Sequence, residues 1–263
     1  MSAVFDLKAR LEQMGLQPKK AFGQNFLVNN QVIHKIIEEV KRHRFSDLIE
    51  IGPGLGALTE KLLAENFKPT LIELDRDLIE YWQSQQANVI DADAIQLDWA
   101  KLNLQTDSLL VSNLPYQIST HIVVDRCLGP KELRWMVLMF QKEVAQRLTA
   151  GPRTKEYGTL SVMAQLHFNI RKVADAGPKD FFPPPKIASR VLFFERKADP
   201  GLGEPFLKFV KRAFANRRKL LTKNIGDIVT VDDLKAAGLS DKARAEELSP
   251  EQFKSLFLKT QSR

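Results

Sequence analysis

Cysteine is nearly absent from this chain: Cys127 stands alone among 263 residues. No intramolecular disulfide can form, and a reducing compartment is the default. A single cysteine in an apolar helical stretch reads as a small buried residue rather than a reactive thiol. The four histidines (His34, His43, His121 and His167) lack metal-ligand spacing, so no metal is expected. No apolar run approaches the length of a membrane span, and Met1 to Leu7 lacks the charged-then-apolar pattern of a secretory signal. The expectation is a cytoplasmic protein with no membrane partner. Internal repeats and low-complexity tracts are missing, and so is the phosphate-loop pattern G-x-x-x-x-G-K-[ST]. A ligand held by a dedicated diphosphate cradle is therefore not indicated.

What is present is an ordinary globular composition. Hydrophobic residues make up 44% and charged residues 27%, enough to bury a real core. The net charge of +7 is a modest excess and by itself weak support for nucleic-acid binding. Apolar spacing predicts an opening helix over Phe5 to Met14, a loop from Lys19 to Leu27, and a helix carrying Val32, Ile33, Ile36, Ile37 and Val40. From Asp47 on, strands are predicted near 47–51, 70–74, 88–91, 108–112 and 134–140, with helices between them. That alternation implies an α/β, doubly wound, Rossmann-like sheet. Ile170 to Ala174 and Val191 to Glu195 supply two further strands. Beyond Lys197-Ala198-Asp199-Pro200-Gly201 the chain reads as helices broken at Gly226, Gly238 and Pro250. The predicted division is a domain over 1–197 and a small all-α domain over 198–263.

Ligand-bearing residue types recur at the predicted strand ends. Glu50-Ile51-Gly52-Pro53-Gly54-Leu55-Gly56 follows one strand and precedes a helix, so Gly52 and Gly54 let a ligand approach the backbone. Ala57 stands where a dinucleotide fingerprint needs its third glycine. The next strand carries Glu73, an acid placed to accept both hydroxyls of a ribose, and the third leads to Asp93, which could accept an adenine amino group. Together they favour a bound nucleoside, here S-adenosylmethionine. The fourth strand ends in Asn113-Leu114-Pro115-Tyr116. The Asn113 side-chain oxygen and the Leu114 carbonyl can both accept from an exocyclic amine. Pro115 restricts the turn, and Tyr116 offers a face for a base. The alternative is an ordinary strand-end turn.

These residues carry a resemblance to a known family. The chain resembles the KsgA family of small-subunit (16S) ribosomal RNA adenine N6,N6-dimethyltransferases over nearly its whole length. The matching stretches are Lys20 to Leu27, Ile49 to Gly56, Ile72 to Asp77, Asn113 to Tyr116, Tyr157 to Val162, Phe181 to Ile187, and Ala213-Phe214 with Arg217 to Lys219. Gly23-Gln24-Asn25-Phe26-Leu27 and Pro183-Pro184-Pro185-Lys186 are the uncommon strings among them. Departures are small: Ile187 replaces the usual valine, and Ser112 replaces the usual glycine or alanine.

The resemblance implies a class I methyltransferase sheet with an antiparallel strand near its end and S-adenosylmethionine as methyl donor. It assigns Gly52 to the methionine portion, Glu73 to the ribose, Asp93 to the adenine, and Asn25 and Leu27 to closing over the donor. The implied substrate is two adjacent adenosines near the 3′ end of small-subunit RNA, within a subunit or its precursor, and the protein is expected to be a monomer. Phe181 is the candidate for stacking on the target base opposite Tyr116, with a core plug as the alternative. Arg147, Arg153 and Lys155, and separately Arg217, Arg218, Lys219 and Lys223, are the candidate RNA contacts. The second group could instead be struts paired with acids such as Asp199 or Glu204. An erythromycin-resistance type methylase and a non-catalytic assembly factor are the competing readings.

Overall fold

The structure is a computed structural model, and it describes residues 3–19 and 22–261. Lys20 and Ala21 of the matching stretch lie outside the described residues. The chain begins with α1 (Ala3–Gln13), β1 (Phe26–Leu27), α2 (Asn30–Lys41), β2 (Leu48–Ile51), α3 (Thr59–Ala64), β3 (Thr70–Glu73), α4 (Arg76–Ser84) and β4 (Asn88–Asp91). It continues through β5 (Ser108–Ser112), α5 (Tyr116–Leu128), β6 (Leu133–Gln141), α6 (Lys142–Thr149), α7 (Thr159–His167), β7 (Phe168–Ala176), β8 (Phe181–Phe182) and β9 (Ser189–Arg196). Last come α8 (Gly203–Ala213), α9 (Leu221–Ile225), α10 (Val231–Ala236) and α11 (Pro250–Gln261).

The seven expected strands form one sheet in the order β4-β3-β2-β5-β6-β9-β7. Strands β2 and β5 are buried along their whole length. That is why their sequences are continuous apolar runs rather than alternating ones. Strand β9 runs antiparallel to β6, from Trp135 opposite Glu195 to Gln141 opposite Ser189, as the resemblance implied. Chain order reverses between β2 and β5, and the carboxyl ends of strands at such a reversal open a crevice for ligands. A two-stranded sheet, β1 with β8, was not anticipated. It pairs Phe26 with Phe182 and Leu27 with Phe181.

By compactness the chain divides into two units. The α/β unit holds the residues up to Ala145 together with Ile170–Arg196, and the helical unit holds Gln146–Asn169 together with the residues from Lys197 on. The late division by compactness lies between Arg196 and Lys197. The segment 146–169, assigned from sequence to the first domain, belongs instead with the carboxyl-terminal helices. Its apolar residues explain this. Helix α7 packs on α8 and α11, and the buried Tyr157 donates its hydroxyl to the Leu248 carbonyl at 2.8 Å. Phe206, Phe209 and Phe257 complete that core, with ring centroids 5.4–6.4 Å apart. No described helix is long and apolar enough to cross a membrane.

Candidate functional site

Strand register alone aligns the candidate ligands. Ile51 lies opposite Ile72 on β3, and Glu50 lies opposite Val111 on β5. One or two residues further along, Glu73, Gly52 and Asn113 therefore stand side by side at the carboxyl ends of three adjacent strands. Glu73 in turn faces Asp91 of β4, which places Asp93 just beyond it. The row opens into a cavity of about 180 Å³ lined by Asn25, Gly52, Gly54, Glu73, Asp93 and the whole of Asn113 to Tyr116.

Each member is held by local chemistry. Gly52 (φ +64°) and Gly54 (φ +56°) turn the chain away from β2 in a left-handed conformation that favours glycine. The Gly54 carbonyl accepts from the Trp82 indole at 2.9 Å. A Cβ on Gly54 would meet the Phe26 ring at 3.1 Å, so the loop and β1 close on each other only because that position is bare. The Glu73 carboxylate accepts from the Leu74 and Asp75 amides at 2.8 and 3.0 Å. Burial nevertheless pushes its pKa above the ordinary value, with the backbone hydrogen bonds opposing. Asp93 accepts from the Ile95 amide at 2.9 Å through one oxygen. On the reverse side of the glycine loop, the fully buried Glu50 is pushed up to about 8 by desolvation and accepts from the Thr59 hydroxyl at 2.7 Å.

The Asn113–Tyr116 segment is equally ordered. Asn113 donates its amide N–H to the Asn25 carbonyl at 3.1 Å. A carbonyl can only accept, so the atom facing Asn25 is Nδ2 and Oδ1 is the acceptor turned the other way. Leu114 is buried and anchors the turn. The Tyr116 hydroxyl is bonded to the Ser189 hydroxyl at 2.7 Å, which fixes the ring, and burial raises its pKa. Ser112, one of the two departures, donates to the Ile51 carbonyl at 2.5 Å, so it ties β5 to β2. Ile187, the other, is 44% exposed, and an extra methylene there crowds nothing.

Three expectations need correction. Phe181 is only 3% exposed and sits in the main core among Leu27, Ile33, Val111 and Val191. It is a core plug and presents no ring at the cavity. The Leu27 side chain is likewise in that core, so any role in closing over a ligand falls to its backbone. Arg217 is not a free cation. It pairs with Glu246 at 2.7 Å and donates to the carbonyls of Thr154 and Lys155. It is thus a strut, though its acid is Glu246 rather than Asp199 or Glu204. Arg217 ties the 154–155 loop to the α8–α9 connection, which brings Lys155 towards the stretch that carries Arg218 and Lys219. Arg147, Arg153, Lys155, Arg218, Lys219 and Lys223 are all exposed. The exposed Arg244, not singled out from the sequence, pairs through its backbone with Leu220, next to Lys219.

The chain matches known proteins along most of its length. Residues 15–262 match the model of the ribosomal RNA adenine dimethylase family. The chain belongs to that family. It is 48% identical over 261 residues to the ribosomal RNA small subunit methyltransferase A of Bdellovibrio bacteriovorus, covering 95% of each chain. It is 42% identical over 253 residues to the protein of that name from Syntrophotalea carbinolica, covering 91% of this chain and 96% of the other. In fold it is similar to a dimethyladenosine transferase from Plasmodium falciparum, with TM-score 0.75, 24% identity, and 90% and 98% of the two chains covered. It is also similar to the 23S rRNA methyltransferase ErmE, with TM-score 0.69, 24% identity, and 90% and 100% covered. Those two likenesses concern the fold alone. Membership of the dimethylase family makes this protein an enzyme of methyl transfer to adenine in ribosomal RNA.

Proposed function

We propose that the protein transfers methyl groups from S-adenosylmethionine to N6 of two adjacent adenosines in the 3′-terminal hairpin of small-subunit RNA. The products are N6,N6-dimethyladenosines, made in the cytoplasm by a monomer acting on a small subunit or its precursor. The observation that carries this reading is the row Glu73–Gly52–Asn113, with the Asn113 oxygen turned away from its anchored amide nitrogen. Relatives named for the small-subunit RNA, at 48% and 42% identity, support the choice of substrate.

The cavity residues fit the donor. Glu73 is a buried acceptor on the wall, Asp93 keeps an oxygen for an adenine amine, and Gly52 and Gly54 leave backbone within reach. When bound, S-adenosylmethionine supplies an electrophilic sulfonium methyl. Adenine N6 is a weak nucleophile because its lone pair is delocalised into the ring. Two acceptors, the Asn113 oxygen and the Leu114 carbonyl, favour a pyramidal nitrogen and stabilise the positive charge that grows on it. Tyr116 holds one face of the extruded base. Asn113 is neutral, which suits a second turnover on an amine that has already lost one N–H.

Glu73→Ala is expected to weaken donor binding on the order of 10- to 100-fold, since a charged acceptor is lost from two hydroxyls. Calorimetry on the free protein reads this directly. Equal affinities would remove Glu73 from the donor site. On the helical unit, Arg218→Ala with Lys219→Ala should flatten the salt dependence of subunit binding by about two in log–log slope, with Tm unchanged. Arg217→Ala should do the reverse, lowering Tm while its own charge contributes nothing to the slope. The function as a whole is tested by radiolabelled methyl transfer to purified small subunits, large subunits and naked RNA, with nucleotide mapping. Label in large-subunit RNA, or none in paired small-subunit adenosines, would sink the reading.

A further inference from the structure

The acceptor role of Asn113 depends on which way its amide faces, and rotation about its last torsion is soft. Among the described residues its side chain bonds one partner, the Asn25 carbonyl. Asn25 belongs to the segment Phe22–Phe26, all of which lines the donor cavity. This segment touches the catalytic stretch a second time at Gly23. There φ is +62°, and a Cβ would come within 2.7 Å of the Gln117 side-chain oxygen on the first turn of α5. What fixes the segment on its amino-terminal side is a buried acid used by none of the chemistry above. Asp75, 3% exposed, accepts from Lys19 Nζ at 2.5 Å and from Gln24 Nε2 at 2.9 Å. The Gln24 oxygen in turn accepts from the Lys19 amide at 2.8 Å. Asp77 takes a further bond from Lys19 at 2.6 Å, and the two acids hold the lysine pKa above its ordinary value, Asp75 foremost. On its other side the segment runs into β1, which β8 holds. The Val28 amide adds a bond to the Asp180 carbonyl at 2.8 Å.

We infer that Phe22–Phe26 is a strap that orients Asn113, and that Asp75 is the positioning residue which seats the strap through Lys19 and Gln24. The inference rests on the amine-clamp reading of Asn113. Asp75 lies two residues after Glu73; its amide bonds the Glu73 carboxylate, and its side chain takes no part in binding or chemistry. It acts through two side chains and a carbonyl on the amide that faces the target amine. The strap therefore links the donor wall to the catalytic acceptor, and loosening it lowers the rate even when the donor site is full.

The test uses Lys19→Met and Gln24→Ala in the full chain, with Lys19→Arg as the conservative control. Lys19→Met leaves the buried Asp75 without its cation and is expected to lower Tm, so rates are read well below the transition, and Gln24→Ala, which keeps that cation, provides the second reading. Single-turnover methyl transfer is measured at saturating donor and saturating small subunits. The expected result is a rate about fivefold lower or more in Lys19→Met and Gln24→Ala, because a small misplacement of an aligning group is costly. Lys19→Arg should recover most of that loss, and subunit affinity should stay unchanged. A strap that only walls the donor cavity would raise the donor Kd and leave the saturated rate at wild type, which overturns the inference. Asn113→Ala separates this failure from that of the underlying reading. A slow Asn113→Ala beside wild-type rates in both strap variants defeats the strap alone. A wild-type rate in Asn113→Ala defeats the clamp and the strap together.

Discussion

Asn113→Ala is expected to keep donor and RNA affinity while slowing the methyl-transfer step about 10²- to 10³-fold, the cost typical of removing one aligned group that stabilises developing charge. The expectation follows from where the side chain sits. Its nitrogen is spent on the Asn25 carbonyl, so its oxygen is the part available to an amine, and neither atom is needed to hold the core. Asn113→Asp sharpens the test. A carboxylate has no N–H for Asn25 and sets two acceptors against each other, so the strap contact is lost along with the neutral charge. Its rate should also fall, with a weakened second methylation visible as accumulated monomethyl product. Single-turnover assays on small subunits, with product resolved by degree of methylation, read both variants. Near-normal rates in Asn113→Ala would rule out the amine clamp.

Phe181→Ala should be foremost a stability mutation. The ring is 3% exposed in a core shared by α2, β5 and β9. Deleting a buried phenyl ring costs about 3–5 kcal/mol, which for a chain of this size lowers Tm by roughly 10 °C. Phe182→Ala, at the half-buried neighbour packed on the smaller cluster of Leu11, Phe26, Leu55 and Leu78, should cost less. If Phe181 stacked on the target base, the variant would melt near wild type and lose rate or RNA affinity at low temperature. Thermal melts, with activity measured well below the transition, distinguish the two.

Much of the candidate site was legible because its residues lie in short local stretches. Glu73, Asp93, Gly52 and Asn113 each end a predicted strand, and strand ends can be read from short apolar runs bounded by glycine, acid or proline. The Pro115 turn and the glycine loop carry their backbone requirements in their own residues. What stayed hidden involves partners far apart in sequence. Arg217 reads as one of three exposed cations until Glu246, 29 residues on, and the 154–155 carbonyls are seen around it. Gln24 and Asp75 were visible as parts of two motifs, but nothing in either string says that they bond to each other across 51 residues.

By itself, then, the sequence determined the alternation of strands and helices, the residue types at the strand ends, and through them the family. Burial on both faces of a parallel sheet forces continuous apolar runs, and these mark strand positions within two residues. Tertiary structure decided register and direction. Register, a property of pairs of strands, put Glu73, Gly52 and Asn113 in one row. Direction settled the two adjacent phenylalanines, because consecutive residues of a strand point to opposite sides, and a Phe-Phe pair does not say which faces inward. Pairing of β8 with β1 made that choice, sending Phe181 into the core, so the rings at the cavity are those of Phe22, Phe26 and Tyr116.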